Sequence, residues 1–481
     1  MSLSLEQLAA AAGSRSRTVV SGYVDPRAPS IARVVSDSRE VRTGDVFWAL
    51  EGPRHDGADY LADAYRLGAV GVVTSRDAIQ PPPGRWAIVV DDAQQSLTQA
   101  AQWQRQQFNG RVVAVTGSVG KTTARKMIEA VLSQRFTGTA SPRNFNNHIG
   151  VPLAMLAWRP QHDYAVLELG ASAGGEIRQL ANLCLPRVGV ITRIADAHLG
   201  TFGSRQNIAS TKAELLDALP NDGLAILNAD DPHLKRVARR SRAPIVWVGR
   251  SADAAICATH VRNAGGCLEF EVDGRAMSVP VWGRHHLTSA LAAVAVGREF
   301  GLTWDEITTG LAAFSGVDSR CQVLDVHGAT VINDSYNSSP VAAQAALELL
   351  RDFDAPGRRI VLCGDMCDLG DESASLHHTL GQQVVTTAGA NVLLACGRYA
   401  RTIVEGAKSA GMPTQNTHVC HDVTTAAHVV ASVLRPQDVL LVKGSRAMAL
   451  ERVVTSLMRP RVHRPRPFGS GSSALAPRLA A

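Results

Sequence analysis

The sequence predicts an α/β protein of three domains: a small N-terminal α/β domain, a central P-loop domain on a doubly wound, mostly parallel sheet, and a C-terminal Rossmann-like domain. Three observations predict it. The 481 residues exceed what one hydrophobic core organises, and domains of roughly 100–200 residues imply about three. From Arg111 onward, short apolar runs alternate with amphipathic stretches, the pattern of strands buried between helices. One such run, Val112-Val113-Ala114-Val115, leads into Thr116-Gly117-Ser118-Val119-Gly120-Lys121-Thr122-Thr123 and then a helical pattern through Met127, Ile128 and Val131. Strand, small-residue turn and helix in that order are what a phosphate-binding loop requires.

Residues 1–108 read as the first unit. Asp45–Leu50, Val70–Val73 and Trp86–Val90 are strand candidates, and Tyr60–Leu67 and Ala93–Gln106 have helical spacing. Ahead of these strands, Ser36-Asp37-Ser38-Arg39 is either a polar cluster holding a ribose or phosphate, or a capped turn with a solvated arginine. Residues 109–318 form the central unit, with strands expected at Arg111–Thr116, Tyr164–Leu169, Val188–Thr192, Leu224–Asn228 and Ile245–Val248. A hairpin turning at Asp273-Gly274 follows, then helices at His286–Glu299 and Trp304–Phe314. Residues 319–458 alternate again, with strands at Thr330–Asn333, Ile360–Cys363, Val392–Ala395 and Val439–Val442 and a helix at Val341–Leu350. This unit lacks G-x-G-x-x-G, which argues against a dinucleotide site. Residues 459–481, rich in Pro, Arg, Gly, Ser and Ala, are expected to be a basic disordered tail.

The formal charge of +6 does not point to nucleic acid. Arg459, Arg461, Arg464, Arg466 and Arg478 lie in the tail with no acidic residue among them, leaving about +1 for the rest and no strong polyanion-attracting field. The eight cysteines are scattered without C-x-x-C spacing, Cys363 and Cys367 being the closest pair. Free buried thiols in a reducing compartment are expected. No apolar run approaches the roughly 20 residues of a membrane span, and Met1–Glu6 lacks the features of a signal peptide. A cytoplasmic monomer without stable membrane insertion is the expectation.

Ligands of doubly wound sheets gather beyond the carboxyl ends of strands, and three features sit there. Backbone N–H groups of Gly117 to Thr123 would cradle phosphate, with Lys121 a point charge for the β/γ-phosphates and the Thr122 hydroxyl suited to Mg²⁺. Glu168 closes Ala165-Val166-Leu167, and His198 follows Val190-Ile191-Thr192. A buried structural carboxylate is the alternative for Glu168, but an acidic and an imidazole candidate converging on the loop's edge favour metal binding. Val115 stands where the ordinary G-x-x-x-x-G-K-[ST] loop has its first glycine.

The short T-G-x-x-G-K-T-T form resembles the loop of the Mur ligase family, and further motifs follow in that family's order from about Val34 to Val454. They are Ser36-Asp37-Ser38-Arg39 with Leu50-Glu51-Gly52, Asn144-Phe145-Asn146-Asn147-His148-Ile149-Gly150-Val151-Pro152, Glu168-Leu169-Gly170 with Gly175-Glu176-Ile177, and Ala197-His198-Leu199. Ile208 to Glu214, Asn333-Asp334-Ser335-Tyr336-Asn337, Gly364-Asp365-Met366 with Leu369-Gly370 and His377, and Val442 to Arg446 complete the set. The N-F-N-N-x-I-G-V-P, Y-N and G-D-M-x-x-L-G elements favour the dipeptide-adding branch.

The resemblance implies an ATP-dependent, Mg²⁺-requiring ligase that joins UDP-N-acetylmuramoyl-tripeptide to D-alanyl-D-alanine through an acyl phosphate. It implies Lys121, Lys212 and His198 as catalytic residues and Thr122, Glu168, His198 and Lys212 around Mg²⁺, Lys212 as a carbamate. A surface lysine paired with Glu214 or Asp217 is the alternative for Lys212. By the same resemblance Arg320 and Asp334 meet the nucleotide with the Gly117–Thr123 loop. Ser36, Asp37, Ser38, Arg39, Asn144, Asn146 and Asn147 match positions lining the UDP-sugar and peptide site, and Tyr336 and Asn337 begin a substrate-binding loop that faces ATP or the acceptor. The chain departs from the family pattern at His286 and Ser289, which replace asparagines expected near adenine, at Ser338-Ser339-Pro340 for A-N-P, at Arg143 for glycine and at Ala58 for histidine. Competing expectations are a ligase for another amino acid, including the folylpolyglutamate type, a P-loop NTPase switch, and a non-catalytic nucleotide-sugar-binding protein.

Overall fold

The computed structural model describes residues 3–13, 15–27, 29–196 and 199–458. His198 and the expected tail, 459–481, lie outside the described residues. The strand Arg111–Thr116 shows why its sequence is a continuous apolar run rather than an alternating one. Val113 and Val115 belong to a core on one face of the sheet, with Met127, Ile128 and Leu291. Val112 and Ala114 belong to the core on the other face, with Val151 and Ile177. A parallel strand covered on both faces has no solvent side to mark with polar residues.

That strand lies inside a nine-stranded sheet, in the order Arg275–Val279, Cys267–Val272, Ile256–Ala264, Ile245–Gly249, Leu224–Asn228, Val188–Ile191, Arg111–Thr116, Tyr164–Glu168, Gly138–Ala140. Seven strands are parallel and the first two close the edge as an antiparallel meander. Chain order reverses at Arg111–Thr116, which has Val188–Ile191 on one side and Tyr164–Glu168 on the other. Its carboxyl end is therefore the switch point where ligands of such sheets collect, and the small-residue loop begins there.

The C-terminal sheet has six strands: Gln322–Val326, Ala329–Asp334, Val439–Lys443, Arg359–Gly364, Val392–Cys396 and Thr417–Cys420. All but the first run parallel. The last strand in sequence inserts near the middle and pairs Lys443 with Asp334. The N-terminal sheet orders Arg17–Ser21, Arg85–Val89, Gly71–Thr74, Val46–Trp48 and Val34–Val35. The architecture is the three-part α/β one expected.

Strand and helix boundaries fall within a few residues of expectation in the parallel runs. Most strands that escaped notice are at edges, such as Arg17–Ser21, Gly138–Ala140, Gln322–Val326 and Thr417–Cys420, but Ile256–Ala264, which joins the parallel strands to the antiparallel edge, was missed inside the sheet. Arg17–Ser21 is exposed or half-buried throughout, and an edge strand with one neighbour needs no apolar run. The cysteines differ from expectation too. All eight are free thiols, but Cys367 is exposed and Cys257 and Cys267 are half-buried. Among the described residues no helix is long and apolar enough to cross a membrane.

Candidate active site

The loop after Arg111–Thr116 is shaped by two glycines and by the neighbouring strand's extension. Gly117 has φ +143° and Gly120 φ +87°, values that side chains disfavour. Thr192 donates its hydroxyl to the Val119 carbonyl at 2.6 Å, and Ser118 N–H donates to the Arg193 carbonyl at 2.7 Å. A Cβ on Gly117 would stand 2.2 Å from the Thr192 hydroxyl. Lys121 opens the helix Lys121–Leu132, and its ammonium folds back onto the Gly117 carbonyl at 2.8 Å. Thr123 is buried in the first turn.

Thr122 and Glu168 meet across the switch point. The Thr122 hydroxyl donates to Glu168 at 2.7 Å, and the Asn146 amide donates to the other carboxylate oxygen at 2.9 Å. Thr122 is 8% and Glu168 2% exposed. From the C-terminal side, Arg320 donates to the same Thr122 hydroxyl at 3.1 Å and lies 4.2 Å over the Tyr336 ring. One hydroxyl thus joins two strand ends of the central sheet to the segment that enters the C-terminal sheet. Hard, buried oxygens such as those of Thr122 and Glu168 suit Mg²⁺.

Lys212 ends the helix Arg205–Lys212 and is 3% exposed, so it is no surface lysine. Its ammonium reaches the Ala171 carbonyl at 3.3 Å. Glu214 instead accepts from the Gly175 and Arg178 N–H groups at 2.8 and 3.1 Å, and Asp217 pairs with Arg240. Burial, then the charge of Lys121, lower Lys212 to about 7, against the opposing pull of Glu176 and Glu214. Burial likewise lowers Lys121, with Glu168 opposing and Arg320 adding to the shift. Gly117, Lys121, Asn146, Gly170, Glu176 and Lys212 line one cleft of about 730 Å³.

The other expected residues fall in two groups. Asp37 caps the turn Ser38–Glu40, and its carboxylate holds the exposed Arg39 guanidinium at 2.9 and 2.7 Å. Hydrogen bonding from Arg39 lowers the Asp37 pKa. Ser36 and Ser38 are half-buried beside it. Glu40 pairs with Arg143, which brings this cluster to the loop carrying Asn144, exposed, and Asn147. The Asn147 side chain accepts from Gly150 N–H at 2.8 Å, at the start of the next helix. Arg143 has φ +46°, the left-handed conformation for which glycine is suited.

On the C-terminal side Asp334 pairs with Lys443 at 2.8 Å, and Lys443 also donates to the Asn337 carbonyl at 2.7 Å. Neither Lys443 nor Arg125 stood out in the sequence as a site residue. Lys443 ends an apolar run within V-K-G-S-R, and only the strand insertion brings it to Asp334. Arg125 sits one helical turn after Lys121, 3% exposed, where a sequence reads as solvated surface. Ser289 donates to the Gly120 carbonyl at 3.4 Å, so one of the departures touches the phosphate loop itself.

Residues 115–297 match the Mur ligase middle domain, and residues 319–446 match the Mur ligase glutamate ligase domain. The UDP-N-acetylmuramoyl-tripeptide--D-alanyl-D-alanine ligase of Bacillus subtilis is 32% identical over 428 residues, covering 88% of this chain and 93% of the relative. The crystal structure of MurF from Acinetobacter baumannii superposes with a TM-score of 0.80 at 27% identity, over 95% of this chain and 98% of that one. The MurF ligase of Thermotoga maritima, crystallised in complex with ADP, gives 0.75 at 29% identity over 89% and 97%. Likeness of that extent, over 88% of this chain and 93% of the relative at 32% identity, means that the chain belongs to the Mur ligase family.

Proposed function

We propose that this protein is an ATP-dependent amide-forming ligase that adds D-alanyl-D-alanine to UDP-N-acetylmuramoyl-tripeptide, a step of peptidoglycan precursor synthesis. The observation that carries the reading is the Thr122 hydroxyl, which donates to Glu168 and accepts from Arg320, next in sequence to Lys121, which lines one cleft with Lys212. A carboxylate and a triphosphate repel each other, and a reaction that brings them together needs fixed cations between them.

Loop N–H groups from Gly117 to Thr123 and the Lys121 ammonium hold the β- and γ-phosphates, with Arg320 and Asp334 meeting the nucleotide from the C-terminal domain. The substrate carboxylate attacks the γ-phosphorus, ADP leaves, and an acyl phosphate remains. The amine of D-alanyl-D-alanine then attacks the acyl carbon, and phosphate departs from the tetrahedral intermediate. Ser36, Asp37, Ser38, Arg39, Asn144, Asn146 and Asn147 orient the UDP-sugar peptide, and Tyr336 and Asn337 face the acceptor. Thr122, Glu168, His198 and a carbamylated Lys212 would hold Mg²⁺, which when bound offsets phosphate charge. Closure of the C-terminal domain excludes water from the acyl phosphate.

The test is phosphate release by the full chain with ATP, Mg²⁺ and UDP-N-acetylmuramoyl-tripeptide, with and without D-alanyl-D-alanine. Release that requires both, with a UDP-pentapeptide product by mass, is expected. Release with a different acceptor changes the substrate and keeps the ligase. Release indifferent to both substrates refutes the reading and returns the chain to an NTPase switch.

A further inference from the structure

Beside the phosphate loop, three side chains capable of binding a metal meet at the junction of the central and C-terminal domains. His285 and His286 belong to the short turn Arg284–His286 that precedes the central-domain helix Leu287–Glu299. Cys321 immediately precedes Gln322–Val326, the first strand of the C-terminal sheet. One ligand atom from each of the three lies within 4.8 Å of those of the other two. The Cys321 sulfur stands 3.5 Å from His285 Nε2, and the two imidazole rings are 4.1 Å apart at their centroids. A tetrahedral ion with about 2.0–2.1 Å to nitrogen and 2.3 Å to sulfur sets two such ligands about 3.6 Å apart. The observed separation already matches.

A second observation points the same way. His286 is 6% exposed, yet its Nε2 has no hydrogen-bond partner among the described residues. A buried ring nitrogen without a partner forgoes a hydrogen bond that water would supply. Cys321 is 5% exposed and takes φ +51°, with Ser319 at +57°. The connection between the domains therefore holds Cys321 in a conformation uncommon outside glycine. Its N–H donates to Asp334 at 3.2 Å, which anchors the main chain there to the first parallel strand of the C-terminal sheet.

We infer that His285, His286 and Cys321 form a site for a borderline-soft divalent cation, Zn²⁺ being the ion that fits, and that the ion bridges the central and C-terminal domains. Two imidazoles and a thiol select Zn²⁺ over Mg²⁺, which prefers oxygen, so the Mg²⁺ proposed for the reaction does not compete. Exposed His285 gives the ion its approach, and water takes the fourth position, as in sites with three protein ligands. Binding forms the Zn–S bond and releases the thiol proton to solvent. With ligands on both sides of the connection, the ion restrains the relative motion that closure requires.

The experiment is a Co²⁺ titration of the full chain in Mg²⁺-containing buffer, read by absorbance, followed by Zn²⁺. A thiolate-to-Co²⁺ charge-transfer band that saturates at one equivalent and is bleached by one equivalent of Zn²⁺ is expected. It should vanish in Cys321→Ser and weaken at least about tenfold in affinity in His285→Ala. His285 is exposed, so its variant keeps the test alive if the buried Cys321 variant misfolds. Absence of the band in the wild type, or its persistence in Cys321→Ser, overturns the site. For the bridge, Zn²⁺ should slow turnover by at least about fivefold in the wild type, reversibly with chelator, and leave Cys321→Ser at its own metal-free rate. Stoichiometric Zn²⁺ binding without any change in turnover refutes the restraint. The spectroscopic reading needs no substrate, so it stands or falls apart from the proposed ligase activity.

Discussion

Replacing Gly117 with alanine isolates what the phosphate loop demands of its backbone. At φ +143° a side chain adds about 1–3 kcal/mol of strain. The new Cβ also falls 2.2 Å from the Thr192 hydroxyl and 3.2 Å from both N and O of Arg193, so Thr192 must rotate. Rotation breaks its 2.6 Å bond to the Val119 carbonyl, a further loss of about 0.5–1.5 kcal/mol. The binding-competent loop then lies about 2–4 kcal/mol above relaxed alternatives, and apparent nucleotide affinity falls about 30- to 1000-fold. Calorimetric titration of the full chain with ADP and Mg²⁺ measures this. Thr192→Ala alone should cost at most about tenfold. The double variant should bind no worse than Gly117→Ala, because the same hydrogen bond cannot be lost twice. Binding by Gly117→Ala within threefold of the wild type would refute the reasoning, as would full additivity in the double variant.

Two more expectations rest on charge. With Lys212 lowered to about 7, its amine is mostly neutral at pH 8, whereas an ordinary lysine is about 0.3% neutral there. ¹³C-bicarbonate should therefore give a carbamate carbon signal at pH 8 that fades below pH 7, and Lys212→Ala should lose it. A wild-type spectrum without that signal rejects the carbamate. In the C-terminal domain Asp438, 3% exposed, accepts from the Arg358 guanidinium at 2.6 Å and from the Arg358 and Arg435 N–H groups at 3.0 and 2.9 Å. Burial pushes its pKa up, but those hydrogen bonds outweigh burial and hold it below the ordinary value. The contribution is present above the unfolded carboxylate range and lost as pH falls through the lowered folded value. Asp438→Ala should cost about 3–5 kcal/mol at pH 7 in urea unfolding, with the gap to wild type narrowing below pH about 4.

Much of the fold was legible because parallel strands buried on both faces must be continuous apolar runs. Arg111–Thr116 and Leu224–Asn228 coincide with the sequence reading residue for residue. Edge strands such as Gly138–Ala140 carry no such requirement and leave no run to find. The phosphate loop was legible because its chemistry is local: two glycines, a lysine and a threonine at fixed spacing between a strand and a helix. What the sequence alone determined, then, was the order of the sheets, the switch-point loop and the residue types that meet phosphate.

Tertiary structure decided the rest. That Lys212 is buried, with Lys121 near enough to lower its pKa, follows from how the helix Arg205–Lys212 docks, and burial of a lysine has no signature in its own neighbours. Lys443 reaches Asp334 only because the last strand inserts beside Ala329–Asp334, 109 residues away in sequence. Arg320 reaches Thr122 across 198 residues, and Cys321 reaches His285 across 36. Pattern and spacing act along the chain over one or two turns, whereas charge, burial and ligation act through space. The sheet's strand order is what converts the first into the second.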